Sequence, residues 1–154
     1  MRLEKDYEEF IELLNEHKVQ YLIVGAYAVS YYARPRNTGD IDFFINNSSE
    51  NISNLLKVLK DFGFGTLDLS PNDFKGDDNI LQLGYEPVRI DVMTGISGIS
   101  FQKAFKNKKQ GKLGDQGVYF ISLNDLITNK RASDRTQDKA DAELLEKFKD
   151  YKEK

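Results

Sequence analysis

The stretch that most constrains this chain is "NTGDIDFFI", residues 37–45, where Asp40 and Asp42 stand one residue apart inside an apolar run. Side chains two positions apart on a strand point to the same face, so the two carboxylates project together. The opposite, buried face carries Ile41, Phe43 and Ile45. Two carboxylates this close repel each other, and without a cation one of them tends to keep its proton. The pattern predicts either two acids that simply face water or a site for a hard divalent cation such as magnesium.

A third aspartate favours the cation site. Asp91 lies in "VRIDVM", again inside an apolar run, with Ile90 and Val92 directed toward the core. It shares the other face of the predicted strand with Arg89 and Met93. If this strand pairs beside the first, all three carboxylates converge on one point, where a cation with oxygen ligands removes their repulsion.

The segment upstream, "LIVGAYAVSYY", predicts a strand, then Gly25, then the start of a helix. Such a junction offers unpaired backbone N–H groups and the positive end of a helix dipole, which suit a phosphate. Glycine lets the phosphate approach the backbone closely. The junction therefore predicts a phosphate site a short distance from the two aspartates.

The remaining patterns predict one α+β domain over residues 1–154, a small mixed β-sheet flanked by helices, with a helical C-terminal end. Its core covers about residues 20–122 and its C-terminal helices about residues 123–150. The predicted helices are 6–17, a short one from residue 25, one after the serines at 48–49, 100–107, 122–130 and one starting near Ser133. The predicted strands are 19–24, 40–45, a hairpin over 79–93 and 117–122.

Composition excludes several other kinds of site. The chain has no cysteine and a single histidine, so thiolate and multi-histidine zinc sites are unavailable. It contains no apolar stretch long enough to span a membrane, and "MRLEKDYEEF" lacks the form of a signal peptide. We expect a cytoplasmic protein.

One lysine-rich segment, residues 102–112, contrasts with the net charge of −3. It carries Lys103, Lys106, Lys108, Lys109 and Lys112 and no acid. One interpretation is a solvated loop. The other is a local surface for phosphates or for an anionic acceptor such as RNA.

In this combination the sequence resembles the nucleotidyltransferase superfamily that shares the fold of DNA polymerase β. The family pattern is a glycine and a small residue at a strand–helix turn, then a D-h-D strand, then an aspartate on a later strand. Here these elements are Gly25-Ala26, Asp40-Ile41-Asp42 and Asp91. "VGAYAVSYYARPRNTGDIDFFI" is most similar to the small bacterial branch that includes abortive-infection and toxin–antitoxin nucleotidyltransferases. That branch often has an arginine and a threonine before D-h-D, as Arg36 and Thr38 stand here.

The resemblance implies a polymerase β-like fold and metal-dependent transfer of a nucleoside monophosphate from an NTP to a hydroxyl acceptor, with release of pyrophosphate. Asp40, Asp42 and Asp91 would be the catalytic residues and would hold two Mg²⁺ ions against the triphosphate. Nucleotide contacts would come from Gly25, Ala26, Arg36, Thr38 and Lys130. Ala26 fills a position where the family commonly has glycine or serine, and its backbone donor remains.

The acceptor stays open among RNA, a protein and a small molecule. A second hypothesis is a non-catalytic or weakly active partner in a toxin–antitoxin or abortive-infection pair. A metal-dependent phosphohydrolase would usually add histidines, and this chain has only His17. Arg135 and Asp138, three positions apart on a predicted helix, are expected to form a plain surface ion pair of little energetic value.

Overall fold

The computed structural model of the protein describes residues 3–35 and 39–153. Its helices are α1 (Lys5–Glu16), α2 (Gly25–Tyr32), α3 (Ser49–Leu59), α4 (Phe101–Lys106), α5 (Leu123–Arg131) and α6 (Thr136–Glu153). Its strands are β1 (Tyr21–Val24), β2 (Asp40–Ile45), β3 (Ile80–Tyr85), β4 (Val88–Met93), β5 (Lys109–Leu113) and β6 (Gln116–Phe120). A π-helical turn, Lys60–Phe64, follows α3, and a 3₁₀ turn, Pro71–Phe74, precedes β3.

The six strands form one mixed sheet in the order β3-β4-β2-β1-β6-β5. β2 runs parallel to β4 and β1 runs parallel to β6, while the other neighbours are antiparallel. β1 lies near the centre and is buried along its whole length, which suits its uninterrupted apolar sequence "YLIV". The predicted α+β class and mixed sheet are confirmed.

Helix α1 covers the face of the sheet that lies opposite the aspartates. Its apolar stripe is fully buried: Tyr7, Phe10, Ile11 and Leu14. The ring of Phe10 packs against that of Phe43 at 5.4 Å between centroids. Because Phe43 alternates with Asp40 and Asp42 along β2, burying its side chain under α1 leaves the two carboxylates on the other face.

The hydroxyl of Tyr7 ties α1 to the entrance of the strands that carry the acids. It donates a hydrogen bond to the carbonyl of Gly39 at 2.6 Å and accepts one from the amide of Arg89 at 3.0 Å. Gly39 immediately precedes β2, and Arg89 is the second residue of β4. One side chain therefore joins two neighbouring strands where their charged residues begin.

The lysine-rich segment is not a loop, as one interpretation of its sequence had it. Residues 101–106 form α4, and Lys109–Leu113 form the edge strand β5, paired antiparallel with β6. Lysine and glycine have weak strand propensity, so the pairing with β6 creates this strand rather than its own sequence. The short helix predicted over 100–107 is confirmed.

Among the helices in the described ranges, none is both long and apolar enough to cross a membrane.

Replacing Tyr7 with phenylalanine removes the hydroxyl and keeps the buried ring. We expect the free energy of unfolding to fall by about 1–3 kcal/mol, because two partly buried backbone groups lose a partner. Urea denaturation measures the change. The matched control is Tyr85→Phe, since Tyr85 is 89% exposed, and its stability should not change. A Tyr7→Phe protein as stable as the wild type would show that water replaces the hydroxyl without cost.

Candidate active site

The register of β2 and β4 places four charged side chains next to one another. Asp40 lies beside Arg89, and Asp42 lies beside Asp91, on two parallel strands. Residues in register on neighbouring strands point to the same face of a sheet. The three aspartates that the sequence singled out therefore share one face, and an arginine shares it with them.

Arg89 binds two of the three carboxylates. Its Nη2 donates to Oδ2 of Asp40 at 2.8 Å and to Oδ2 of Asp91 at 3.0 Å, and its Nε donates to Oδ1 of Asp91 at 2.8 Å. The planar guanidinium suits this forked contact, which a lysine could not reproduce. The positive charge of Arg89 offsets the repulsion that the sequence predicted between the acids.

The electrostatics of Asp42 are set by its burial and by its acidic neighbours. Burial is the largest cause that raises the pKa of Asp42, to about 7, and the charges of Asp91 and Asp40 add to it. A hydrogen bond to Asp91 raises the pKa further, while the charge of Lys130 lowers it. Burial also raises the pKa of Asp40, against the opposing charge of Arg89. Near neutral pH, Asp42 thus holds a proton that a metal ion would displace.

Gly25 is packed directly against Asp42. It follows β1, whose last residue, Val24, pairs with Asp42 across the antiparallel ladder, and it adopts a φ of +68°. A Cβ at position 25 would overlap the Oδ2 atom of Asp42. A larger residue would therefore displace a carboxylate of the site, which is a second reason for glycine here; the predicted role of Gly25 toward phosphate stays a prediction.

Helix α2 begins at Gly25 and Ala26 without a side-chain cap in the described part of the chain. The first amides of a helix have no partner within the helix, and they favour an anion. These amides lie where β1 ends next to Asp42. The arrangement leaves room for the predicted phosphate role of Gly25 and Ala26 beside the carboxylates.

Lys130 of α5 is buried, with 7% of its surface exposed. Its Nζ lies 3.0 Å from Oδ1 of Asp138 and 3.4 Å from Oδ2 of Asp141, both on α6. Its charge acts on Asp42, so it lies on the side of the fold that carries the acids. Two aspartates of α6 therefore fix a buried cation close to the carboxylate face.

This cluster corrects the expectation of a plain surface pair between Arg135 and Asp138. Arg135 is exposed and reaches Asp138 only at 4.0 Å, whereas Asp138 accepts shorter hydrogen bonds from Ser133 and Lys130. Burial alone would raise the pKa of Asp138, but these hydrogen bonds and the charge of Lys130 hold it below its ordinary value. Asp138 belongs to the buried lysine cluster because α6 packs on α5.

Arg36 and Thr38, two of the predicted nucleotide contacts, lie outside the described residues. Asp91 is 6% exposed, and Asp40 is more accessible, with 26% of its side chain exposed. The sequence did not assign a role to Arg89, Asp138 or Asp141. The only signal for Arg89 was its place two residues before Asp91, on the same strand face.

No group of three His, Cys, Asp or Glu side chains is arranged to hold a metal ion in the part of the chain that the structure describes. The donor set still suits magnesium, because it consists of carboxylate oxygens, and Asp42 and Asp91 share a hydrogen bond that a cation would replace. Asp40 and Asp91 are bound by Arg89 instead. An ion shared by all three acids therefore requires Arg89 to yield part of its contacts.

A glycine turn at a helix start, beside a D-x-D strand that runs parallel to a strand with a third aspartate, places the chain among nucleotidyltransferases. The chain belongs to the family described as "Nucleotidyl transferase of unknown function (DUF2204)", whose profile matches residues 3–154. It is an enzyme of the nucleotidyltransferase class, as the resemblance predicted.

Among solved structures, the fold is similar to that of the lincosamide antibiotic adenylyltransferase LnuA with lincomycin bound. The TM-score is 0.59 at 16% identity, over 96% of this chain and 98% of that one. No curated protein matches the sequence.

The raised pKa of Asp42 predicts a pH dependence of stability in metal-free buffer. The folded protein keeps the proton of Asp42 up to about pH 7, whereas the unfolded chain releases it near 3.8. The folded state binds more protons in this window, so the free energy of unfolding falls as pH rises through it. Asp42→Asn should remove this fall, so that its free energy of unfolding rises relative to that of the wild type by on the order of 4 kcal/mol between about pH 4 and pH 8. Urea denaturation with EDTA tests this, and identical pH profiles would contradict it.

Arg89→Met keeps an unbranched stem and removes the guanidinium that binds Asp40 and Asp91. We expect the metal-free protein to lose stability, because these carboxylates lose hydrogen bonds to a charged donor. Magnesium should then raise the melting temperature of the variant more than that of the wild type, because no guanidinium competes with the ion. The control is Arg131→Met, since Arg131 is 61% exposed and pairs with Glu146. If magnesium raises the melting temperatures of Arg89→Met and the wild type equally, Arg89 and the ion do not compete.

Proposed function

We propose that the protein transfers a nucleoside monophosphate from an NTP to a hydroxyl acceptor in a magnesium-dependent reaction that releases pyrophosphate. The observation that carries the proposal is the pairing of Asp42 with Asp91 on parallel strands, directly beside the helix start at Gly25. Carboxylates there suit a divalent cation, and helix amides suit the triphosphate that such a cation accompanies.

In this reaction the acceptor oxygen forms a bond to the α-phosphorus, and the bond from that phosphorus to the pyrophosphate oxygen breaks. Asp40, Asp42 and Asp91 would hold the magnesium, which supplies charge neutralisation and a more acidic acceptor hydroxyl. Asp91 would help to remove the proton of the acceptor hydroxyl. The protein contributes mainly by positioning the reactants and by stabilising charge.

The triphosphate would lie between the start of α2 and Lys130. The amides of Gly25 and Ala26 would donate to its oxygens, and the ammonium of Lys130 would add a fixed positive charge. Asp138 and Asp141 hold that ammonium in place, so it needs no reorganisation when the nucleotide binds. Arg36 and Thr38 remain proposed nucleotide contacts on sequence grounds.

A second candidate is a partner protein that keeps the fold with little or no turnover, as in a toxin–antitoxin or abortive-infection pair. The hydrogen bonds from Arg89 to Asp40 and Asp91 favour this second candidate, because they occupy carboxylate oxygens that would have to bind magnesium in the reaction. Magnesium-dependent release of pyrophosphate separates the two candidates.

The test is incubation with each α-labelled NTP, magnesium and a cell extract, followed by detection of labelled macromolecules and small molecules and of pyrophosphate. We expect label and pyrophosphate from the wild type, and a loss of at least a hundredfold in Asp42→Asn, because transition-state charge loses its stabilisation. The matched control, Asp68→Asn, changes an exposed aspartate and should keep full activity. Near-normal transfer by Asp42→Asn would reject the site, and no release of pyrophosphate with any NTP would favour the second candidate.

A further inference from the structure

A concave surface of the described protein lies away from the carboxylates, between the end of α1, helix α4 and the β5–β6 hairpin. Its volume is about 590 Å³. We call it the basic groove, and its defining residues are Lys18, Phe105, Gln110, Lys112, Gly117 and Tyr119. A Cβ at Gly117 would meet nothing within 4 Å, so the groove is open above that residue.

The charged side chains that line the groove are all positive. Lys18 and Lys112 line it, and no acidic residue of the described chain is among its lining. The protein as a whole carries a net charge of −3. Concentrating lysines in one concave surface of an acidic protein creates a local attraction for polyanions that the global charge does not provide.

Two aromatic rings stand within this basic surface. Phe105 and Tyr119 have their centroids 6.3 Å apart, and both are only half-buried. The ammonium of Lys108 lies 4.3 Å from the centroid of Phe105 and 5.7 Å from that of Tyr119. Lysines interleaved with accessible rings are the combination that binds single-stranded nucleic acid, because rings stack on bases while ammonium groups contact phosphates.

The groove and the carboxylates lie toward opposite ends of β1, and buried aromatic rings pack between them. Phe44 follows Asp40 and Asp42 at strand spacing, so its side chain shares their face. Its ring contacts Phe101 of α4 at 5.2 Å, and Phe101 stacks on Phe105 at 5.1 Å. Along β1, the residues from the groove to the helix start at Gly25 span roughly 13–16 Å at strand rise. A single strand bound in the groove covers this distance over the surface of the protein, because Phe44 and Phe101 are buried.

We propose that the basic groove binds single-stranded RNA and that this RNA carries the acceptor hydroxyl. The proposal rests on the proposed nucleotidyl transfer and specifies its substrate class. Lys18, Lys108 and Lys112 contact phosphates, and Phe105 and Tyr119 stack on bases. The side-chain amide of Gln110 lies within the groove, where it hydrogen-bonds to ribose 2′-hydroxyls or base edges. Base-paired RNA is excluded from the stacking contacts because its bases are not free.

The test measures RNA binding without NTP or magnesium, by fluorescence anisotropy of a labelled mixed-sequence RNA of about 12 nucleotides, within the usual range of single-strand sites. The triple variant K18Q/K108Q/K112Q should bind on the order of tenfold more weakly near 0.15 M salt, and its salt slope should fall by about 2, for three lost contacts. The charge-matched control K57Q/K60Q/K75Q alters three exposed lysines outside the groove and should bind as the wild type does. Thermal melts verify that both variants fold.

Three results would overturn the proposal: equal weakening in both triple variants, equal affinity for a DNA or a duplex RNA of the same sequence, or equal competition by polyglutamate. Failure of the proposed nucleotidyl transfer can be distinguished from failure of the proposed RNA binding. If the groove variant alone loses RNA binding but the wild type adds no label to RNA or to any other acceptor, the groove stands and the transfer fails. If label reaches only a small molecule and RNA does not bind, the transfer stands and the groove fails.

Discussion

The parallel register of β2 with β4 is the constraint on which the site depends. It sets Asp40 beside Arg89 and Asp42 beside Asp91, so three acids and one base share a small, partly buried area. Acids this close would raise one another's pKa values and destabilise the fold if nothing opposed them. The forked contacts of Arg89 provide that opposition for Asp40 and Asp91, and Asp42 responds by holding a proton.

The surrounding elements are arranged around this area rather than independently of it. Gly25 lacks a side chain where the carboxylate of Asp42 lies, so helix α2, whose first amides are the proposed phosphate site, can start beside that carboxylate. Lys130 is buried near the same carboxylate and is held by two acids of α6. The C-terminal helices α5 and α6 therefore add a buried lysine and two aspartates to the charged groups that the sheet carries.

The family establishes the class and the similarity to LnuA shows the fold, while the acceptor depends on surfaces around the site. A common fold can carry different acceptors, because specificity lies in grooves and loops added around the chemistry. In this chain the basic groove carries lysines and aromatic rings, although the protein is acidic overall. That contrast is the reason to distinguish an extended polyanion from a compact antibiotic as the acceptor.

Local sequence patterns predict the strands that carry Asp40, Asp42 and Asp91, the strand–glycine–helix turn, the hairpin that contains Asp91 and the amphipathic α1, because alternation and helical spacing are local properties of the chain. The remaining features depend on how distant segments pack. Arg89 was visible as a neighbour of Asp91, but its contact with Asp40 requires the pairing of strands 49 positions apart. Lys130, Asp138 and Asp141 meet because α6 packs on α5, and β5 is a strand because β6 pairs with it. Contacts between distant segments carry no local periodicity, so no reading of the sequence alone could have placed them.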